Sequence, residues 1–175
     1  MKRFLREIAV IIIAIAASSG ATAQTKWHNP ENAPFPVIQG QKYQEEEREG
    51  FYNRFPARAK DKVRKSVWNL SRQNAGESIV FMTDAKNITV RYTVALRHAM
   101  SHMPSTGVSG VDLYTTDMNG NEVWVAGKYS FKDTVTFRYN DIDIVNKARK
   151  HHRYTLYLPL YNELKWLEIG TEEGA

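Results

Sequence analysis

The chain has no cysteine, which excludes disulfide staples and attachment of a lipid to an N-terminal cysteine. It also lacks a long apolar run. The longest, residues 8–17, is about ten residues, against the roughly 20 needed to span a bilayer as a helix. No stretch carries the period of a long amphipathic helix, and there is neither an internal repeat nor a low-complexity tract. Charge of one sign is scarce too. Lys and Arg total 24 against 19 Asp and Glu, a net +5. Lys2, Arg3, Arg6 and Glu7 supply +2 of that, leaving +3 on the rest. The densest basic stretch, residues 54–72, alternates with apolar residues as a solvated strand face would. So mild an excess names no partner, and no nucleic-acid partner is expected.

What is present begins with an address. Lys2, Arg3 and Arg6 form a basic start, residues 8–17 an apolar centre, and Ala21-Thr22-Ala23 an A-x-A cleavage site. Residues 1–23 therefore read as a signal peptide, which makes the chain exported (periplasmic or secreted), with no stable membrane insertion after cleavage. The remaining 152 of 175 residues are one domain's worth, long enough to bury about 68–70% of the unfolded surface without a staple.

Residues 24–50 contain Pro30, Pro34 and Pro36 and end in an acidic run. They read as an irregular arm, because proline removes backbone donors and fixes φ. Residues 51–175 read as the folded body. Val63, Lys65, Val67, Asn69 and Ser71 alternate with Arg64, Ser66, Trp68 and Leu70, which predicts a strand. Further strands are expected at 78–83, at 88–96 with Ile88, Val90, Tyr92, Val94 and Leu96 inward, at 134–139, at 154–158 and at 164–169. Residues 98–107 read as a loop and 141–153 as a polar crossing. The central element is a hairpin over 110–126, whose two apolar-aromatic runs flank a turn containing Asn119-Gly120. About eight short strands between turn signals predict an all-β, antiparallel, jelly-roll-like β-sandwich.

Three blocks in that order carry a resemblance. Gly110-Val111-Asp112-Leu113-Tyr114 spells G-x-D-L-Y. Phe55-Pro56-Ala57-Arg58, Val67-Trp68-Asn69-Leu70-Ser71 and Asn74-Ala75-Gly76 precede it, and residues 154–162 with 167–170 follow. Together they resemble the non-catalytic N-terminal (GxDLY-type) β-sandwich domain of bacterial SGNH (GDSL-type) esterases, with 154–162 and 167–170 as its closing hairpin. The resemblance implies a module that supports a C-terminal SGNH hydrolase domain, its partner, and frames the substrate cleft, with residues 164–175 as the docking side. The Gly-Asp-Ser and Asp-x-x-His blocks of that catalytic domain are missing from this chain, which ends where the resemblance would place them. No catalytic residue, cofactor or metal is therefore assigned.

The remaining candidates are weighed on chemistry. Ser109 sits in an elbow-like Gly-Val-Ser-Gly, but position 111 is Val rather than Gly, and a turn serine is expected. His98 and His102, four apart, lack helical periodicity and a third ligand, so they read as a loop pair. His151-His152 lies among basic residues and reads as surface. Flat aromatics suit sugar rings when Asp, Asn or Arg lies nearby. Trp68, Asp112, Tyr114, Trp124, Tyr157 and Trp166 are the candidate carbohydrate or inter-domain contacts, with polysaccharide the alternative partner of a free-standing carbohydrate-binding module. Asp112 is expected to accept backbone hydrogens from a neighbouring turn.

Overall fold

The computed structural model describes residues 24–43, 46–117, 119–142 and 152–172. The signal-peptide reading, residues 1–23, lies outside the described residues, as does 143–151 of the polar crossing. Among the described residues ten strands make two five-stranded sheets, all of whose pairs are antiparallel. In chain order they are β1 (Thr25–His28), β2 (Ile38–Gln39), β3 (Ser78–Thr83), β4 (Ile88–Val94), β5 (Asp112–Thr116), β6 (Glu122–Val125), β7 (Lys128–Ser130), β8 (Val135–Tyr139), β9 (His152–Tyr157) and β10 (Leu164–Glu172). The first sheet runs β1-β10-β4-β8-β7 and the second β2-β3-β9-β5-β6. Successive strands pass repeatedly from one sheet to the other, the winding of a jelly roll.

Alternation explains the core. Ile88, Val90 and Tyr92 of β4 and Val135, Phe137 and Tyr139 of β8 point inward from the first sheet. They meet Ile79, Leu113, Tyr154 and Leu156 of the second. Emptying one such site, as in Leu156→Ala, costs about 2–5 kcal/mol. Register is fixed by charge on the other side: Arg91 faces outward, and its Nε and Nη2 donate to Glu168 at 2.9 and 2.5 Å. A one-residue slip would bury that guanidinium. In β10 the register shifts between Leu164 and Trp166. That irregularity lets Leu164 and Leu167, three apart, both be buried.

Four expectations are corrected. The arm is not wholly irregular: β1 pairs with β10, and β2 with β3. Pro30, Pro34 and Pro36, which cannot donate, all fall between the paired segments, where they interrupt no ladder. Residues Lys65–Ser71 form a helix, α1, rather than a strand. Trp68 and Ser71, three apart, are its buried residues, and Ser71 Oγ donates to Trp68 O at 2.7 Å. Three apolar side chains, Val67, Trp68 and Leu70, in an otherwise polar segment leave the period ambiguous, and helical burial of Trp68 prevails. β9 and β10 are not a hairpin, since they lie in different sheets. β10 is flanked by β1 and β4, so residues 164–172 present no open strand for docking. Finally, β4 stops at Val94, leaving Leu96 exposed, because Leu96 N donates to Asn162 Oδ1 at 2.9 Å instead of continuing the ladder.

Polar side chains hold the ends of the sheets. Asn162 Nδ2 donates to Ser109 Oγ at 2.8 Å and Arg97 O at 3.1 Å, while its Oδ1 accepts from Leu96 and Glu163. Asn74 Nδ2 donates to Tyr52 O at 2.5 Å and Glu77 Oε2 at 2.7 Å, and its Oδ1 accepts from Leu164 N. Asn74 N donates to Asn162 O, joining the two hubs. Segments distant in sequence are thus tied by buried amides whose alternatives are unpaired backbone groups. Among the described residues no helix is long and apolar enough to cross a membrane.

Candidate functional site

The central hairpin builds the site. Its turn is organised by Asp117, whose Oδ1 accepts from Asn119 N and Asn121 N at 2.8 Å each. The Asn121 amide, foremost, and these backbone donors hold the Asp117 carboxyl below its ordinary range. Gly120 takes φ +87°, a conformation that glycine adopts without strain. The register is then Thr116 opposite Glu122 and Tyr114 opposite Trp124.

With Leu113 and Thr115 buried, Asp112 and Tyr114 face outward. On the other side of β5, Asp112 lies opposite Tyr157 of β9. Four of the six candidate contacts therefore converge on the outward face of the second sheet. Tyr114 and Tyr157 meet edge to face with centroids 5.5 Å apart. Trp124 is 54% exposed and Tyr157 38%. The Trp124 indole Nε1 donates to Asp112 Oδ1 at 3.2 Å. This corrects the expectation for Asp112, which holds an indole rather than the backbone of a turn. Outward-facing Val80 and Met82 of β3 and Thr155 and Arg153 of β9 extend the face.

The other two candidates lie apart. Trp68 is buried on α1. Trp166 is half-buried on the outward face of the first sheet, 5.5 Å from the Arg91 guanidinium. Arg91 also lies 3.7 Å from the ring of Trp27, giving a Trp-Arg-Trp stack anchored by Glu168. Sequence reasoning missed this cluster, because Trp27 belonged to the supposed irregular arm.

The polar candidates resolve into structural roles. Ser109 ends a short helix, α2 (Ser105–Ser109), and is buried. Its Oγ donates to His98 O at 2.9 Å and accepts from Asn162. A serine nucleophile needs an imidazole base and an acid behind it; this hydroxyl meets a carbonyl and an amide. The His98 ring packs against Phe131 and His102 is exposed, while Met100 and Met103 bridge between them rather than forming a helix turn. Among the described residues no three His, Cys, Asp or Glu side chains gather as a metal site. His152 is not surface: it opens β9 opposite Thr83 and is buried against Tyr154, because the strand begins earlier than expected. His151 lies outside the described residues.

A larger concavity, about 490 Å³, is elsewhere, lined by Pro34, Phe35, Arg48 and Phe51 of the arm and its neighbour. A smaller one, about 130 Å³, opens beside Asp112 and Trp124. Aromatic faces with one carboxylate can bind a ring; they offer no route to bond cleavage.

Comparison with known proteins places the chain in a family. Residues 25–175 match the GxDLY family, described as the N-terminus of Esterase_SGNH_hydro-type. Among solved structures, the chain is similar to the crystal structure of a Bacteroides ovatus ATCC 8483 protein titled a GDSL-like lipase, at 22% identity and TM-score 0.71. That alignment covers 86% of this chain and 42% of the other, so the chain spans under half of that protein's length. No curated protein matches.

Proposed function

The chain belongs to the GxDLY family of SGNH-esterase N-termini, and from that membership we propose that it is the non-catalytic N-terminal module of an exported SGNH hydrolase-type carbohydrate esterase, supporting the catalytic domain and walling its substrate cleft. The observation that carries the reading is the extent of the match: residues 25–175 include both sheets, from β1 to β10. The engagement of Ser109 by His98 O and Asn162 supports the non-catalytic part. The signal-like residues 1–23 support export. The outward face of Asp112, Tyr114, Trp124 and Tyr157 supplies the wall.

The test joins an SGNH hydrolase domain, made without its own N-terminal module, to this chain after Ala175. The joined protein is expected to unfold at a higher temperature and deacetylate an acetylated oligosaccharide with a higher kcat/KM than the same domain alone. Equal values for both would overturn the supporting role. A second reading, a free-standing carbohydrate-binding module, is favoured by the exposure of Trp124 beside a carboxylate. It predicts polysaccharide retention in affinity electrophoresis without any hydrolase domain.

A further inference from the structure

A slot opens on the side of the sandwich where β1, the edge of the first sheet, faces β3 of the second. It holds about 180 Å³ and is lined by Phe81, Met82 and Thr83 of β3 and by His28, Ile169 and Thr171 of the first sheet. Through His28, Phe81 and Ile169 it runs on into a hollow of about 390 Å³, lined by the crossing from β1 to β2. β2 covers β3 only at Ser78 and Ile79, and the last bond across is Val80 N donating to Val37 O at 3.2 Å. Backbone groups of a strand alternate sides. The N–H and C=O of Met82 therefore point the same way as those of Val80, but past the end of β2. Among the described residues no strand pairs with β3 there. The Met82 side chain is 64% exposed. An open edge carrying a large apolar residue is a surface that invites another strand.

The chain leaves at this slot. Thr171 lines it, and Glu172, the last residue of β10, follows. The Glu172 carboxylate accepts from Lys86 N at 3.1 Å and from Asn87 Nδ2 at 2.6 Å, in the turn just after β3. The ends of β3 and β10 thus share one pole. The three residues from there to Ala175 reach about 11 Å at most. We propose that the hydrolase domain continuing after Ala175 docks in this slot, by its first residues. They turn back along β3 in extended form, bond to the N–H and C=O of Met82, and set an apolar side chain between Phe81 and Ile169. β3 runs toward the shared pole, so a segment returning from it lies antiparallel to β3, in line with β2. Tethering selects this occupant over a second copy, since so short a linker gives a roughly millimolar effective concentration. The outward side chain of Met82 extends the face of Tyr114 and Tyr157, so a domain seated there overhangs the aromatic wall. The inference rests on the module reading above and adds the surface through which module and hydrolase domain meet.

The experiment follows amide hydrogen exchange, residue by residue, in the full chain and in the joined protein. The Met82 amide is expected to exchange fast in the chain alone and at least about tenfold more slowly in the joined protein. Met82→Pro removes that donor and should abolish the gain in unfolding temperature on joining. Proline is tolerated where an edge N–H faces solvent, so the unjoined variant should still fold. Met82→Lys keeps the backbone and puts a charge on the edge; it should shrink the same gain, and it decides the matter if the proline variant does not fold. A gain in unfolding temperature with Met82 exchange unchanged would overturn the slot and leave the supporting role standing. With neither gain nor protection, both fall. Protection of Met82 in the unjoined chain that grows with its concentration would give the slot to a second copy and overturn the proposal.

Discussion

Replacing Glu77 by Gln should make the protein more stable in alkaline solution and leave it unchanged in acid. Glu77 is 1% exposed. Its Oε2 accepts from Asn74 Nδ2 at 2.7 Å, and its backbone bridges Asn74 O and Leu158 N. Burial is the largest influence on its carboxyl. The Asn74 amide, Arg54, Gln41 and Arg48 offset it only in part, and the pKa is pushed up from the ordinary 4.5 to about 7. The folded state therefore holds a proton that the unfolded chain releases between those values. Stability from this group is full below pH 4.5, declines as pH rises, and is lost above about 7. At about 1.4 kcal/mol per pH unit, the loss is about 3 kcal/mol by pH 8. Gln mimics the protonated acid and keeps the oxygen that Asn74 needs. In paired thermal melts the two proteins should coincide near pH 4.5. By pH 8, Glu77→Gln should melt about 5–10 °C higher. Every other ionisable group is common to both proteins, so the difference isolates Glu77. A gap that does not change with pH would refute the reasoning, because it would mean that Glu77 is ionised throughout.

Three further outcomes are expected. Tyr92→Phe removes a 2.5 Å bond to Ser109 O and should cost about 1–2 kcal/mol in urea unfolding, whereas Tyr139→Phe, which removes no bond, should be neutral or stabilising. Asn162→Ala strands donors and acceptors on Leu96, Arg97, Ser109 and Glu163; it should cost about 3 kcal/mol or more, seen as a lowered urea midpoint with unchanged slope. In Gly170→Ala the new Cβ would fall 2.8 Å from the Trp27 ring and from Thr25 Cγ2, so β1 should lift from β10. Red-shifted tryptophan emission and faster amide exchange confined to residues 25–28 would report it.

Much of the sandwich was legible because a strand buried on one face repeats every two residues. β4, β8 and the β5–β6 hairpin show that period plainly, and Asn119-Gly120 marks the turn. The helix α1 was not legible, since Val67, Trp68 and Ser71 fit either period until the surrounding packing selects one. β1 and β2 were hidden because their stability comes from β10 and β3, not from local pattern. The candidate site was half legible. Outward alternation on one hairpin pointed to Asp112, Tyr114 and Trp124, and the match of Tyr157 to the same face depended on strand order. Strand order also explains the failure at 154–170: adjacent strands joined by a short turn read as a hairpin, yet Asn162 directs the chain across to the other sheet.

The most direct test of a non-catalytic module is ester hydrolysis by the chain itself. The full chain, and the same chain carrying Ser109→Ala, would be incubated with para-nitrophenyl acetate and with an acetylated xylo-oligosaccharide. The account predicts release at the buffer rate for both proteins, with Ser109→Ala altering stability alone. Saturable hydrolysis by the parent, abolished in Ser109→Ala while the fold survives by circular dichroism, would contradict it and make Ser109 a nucleophile.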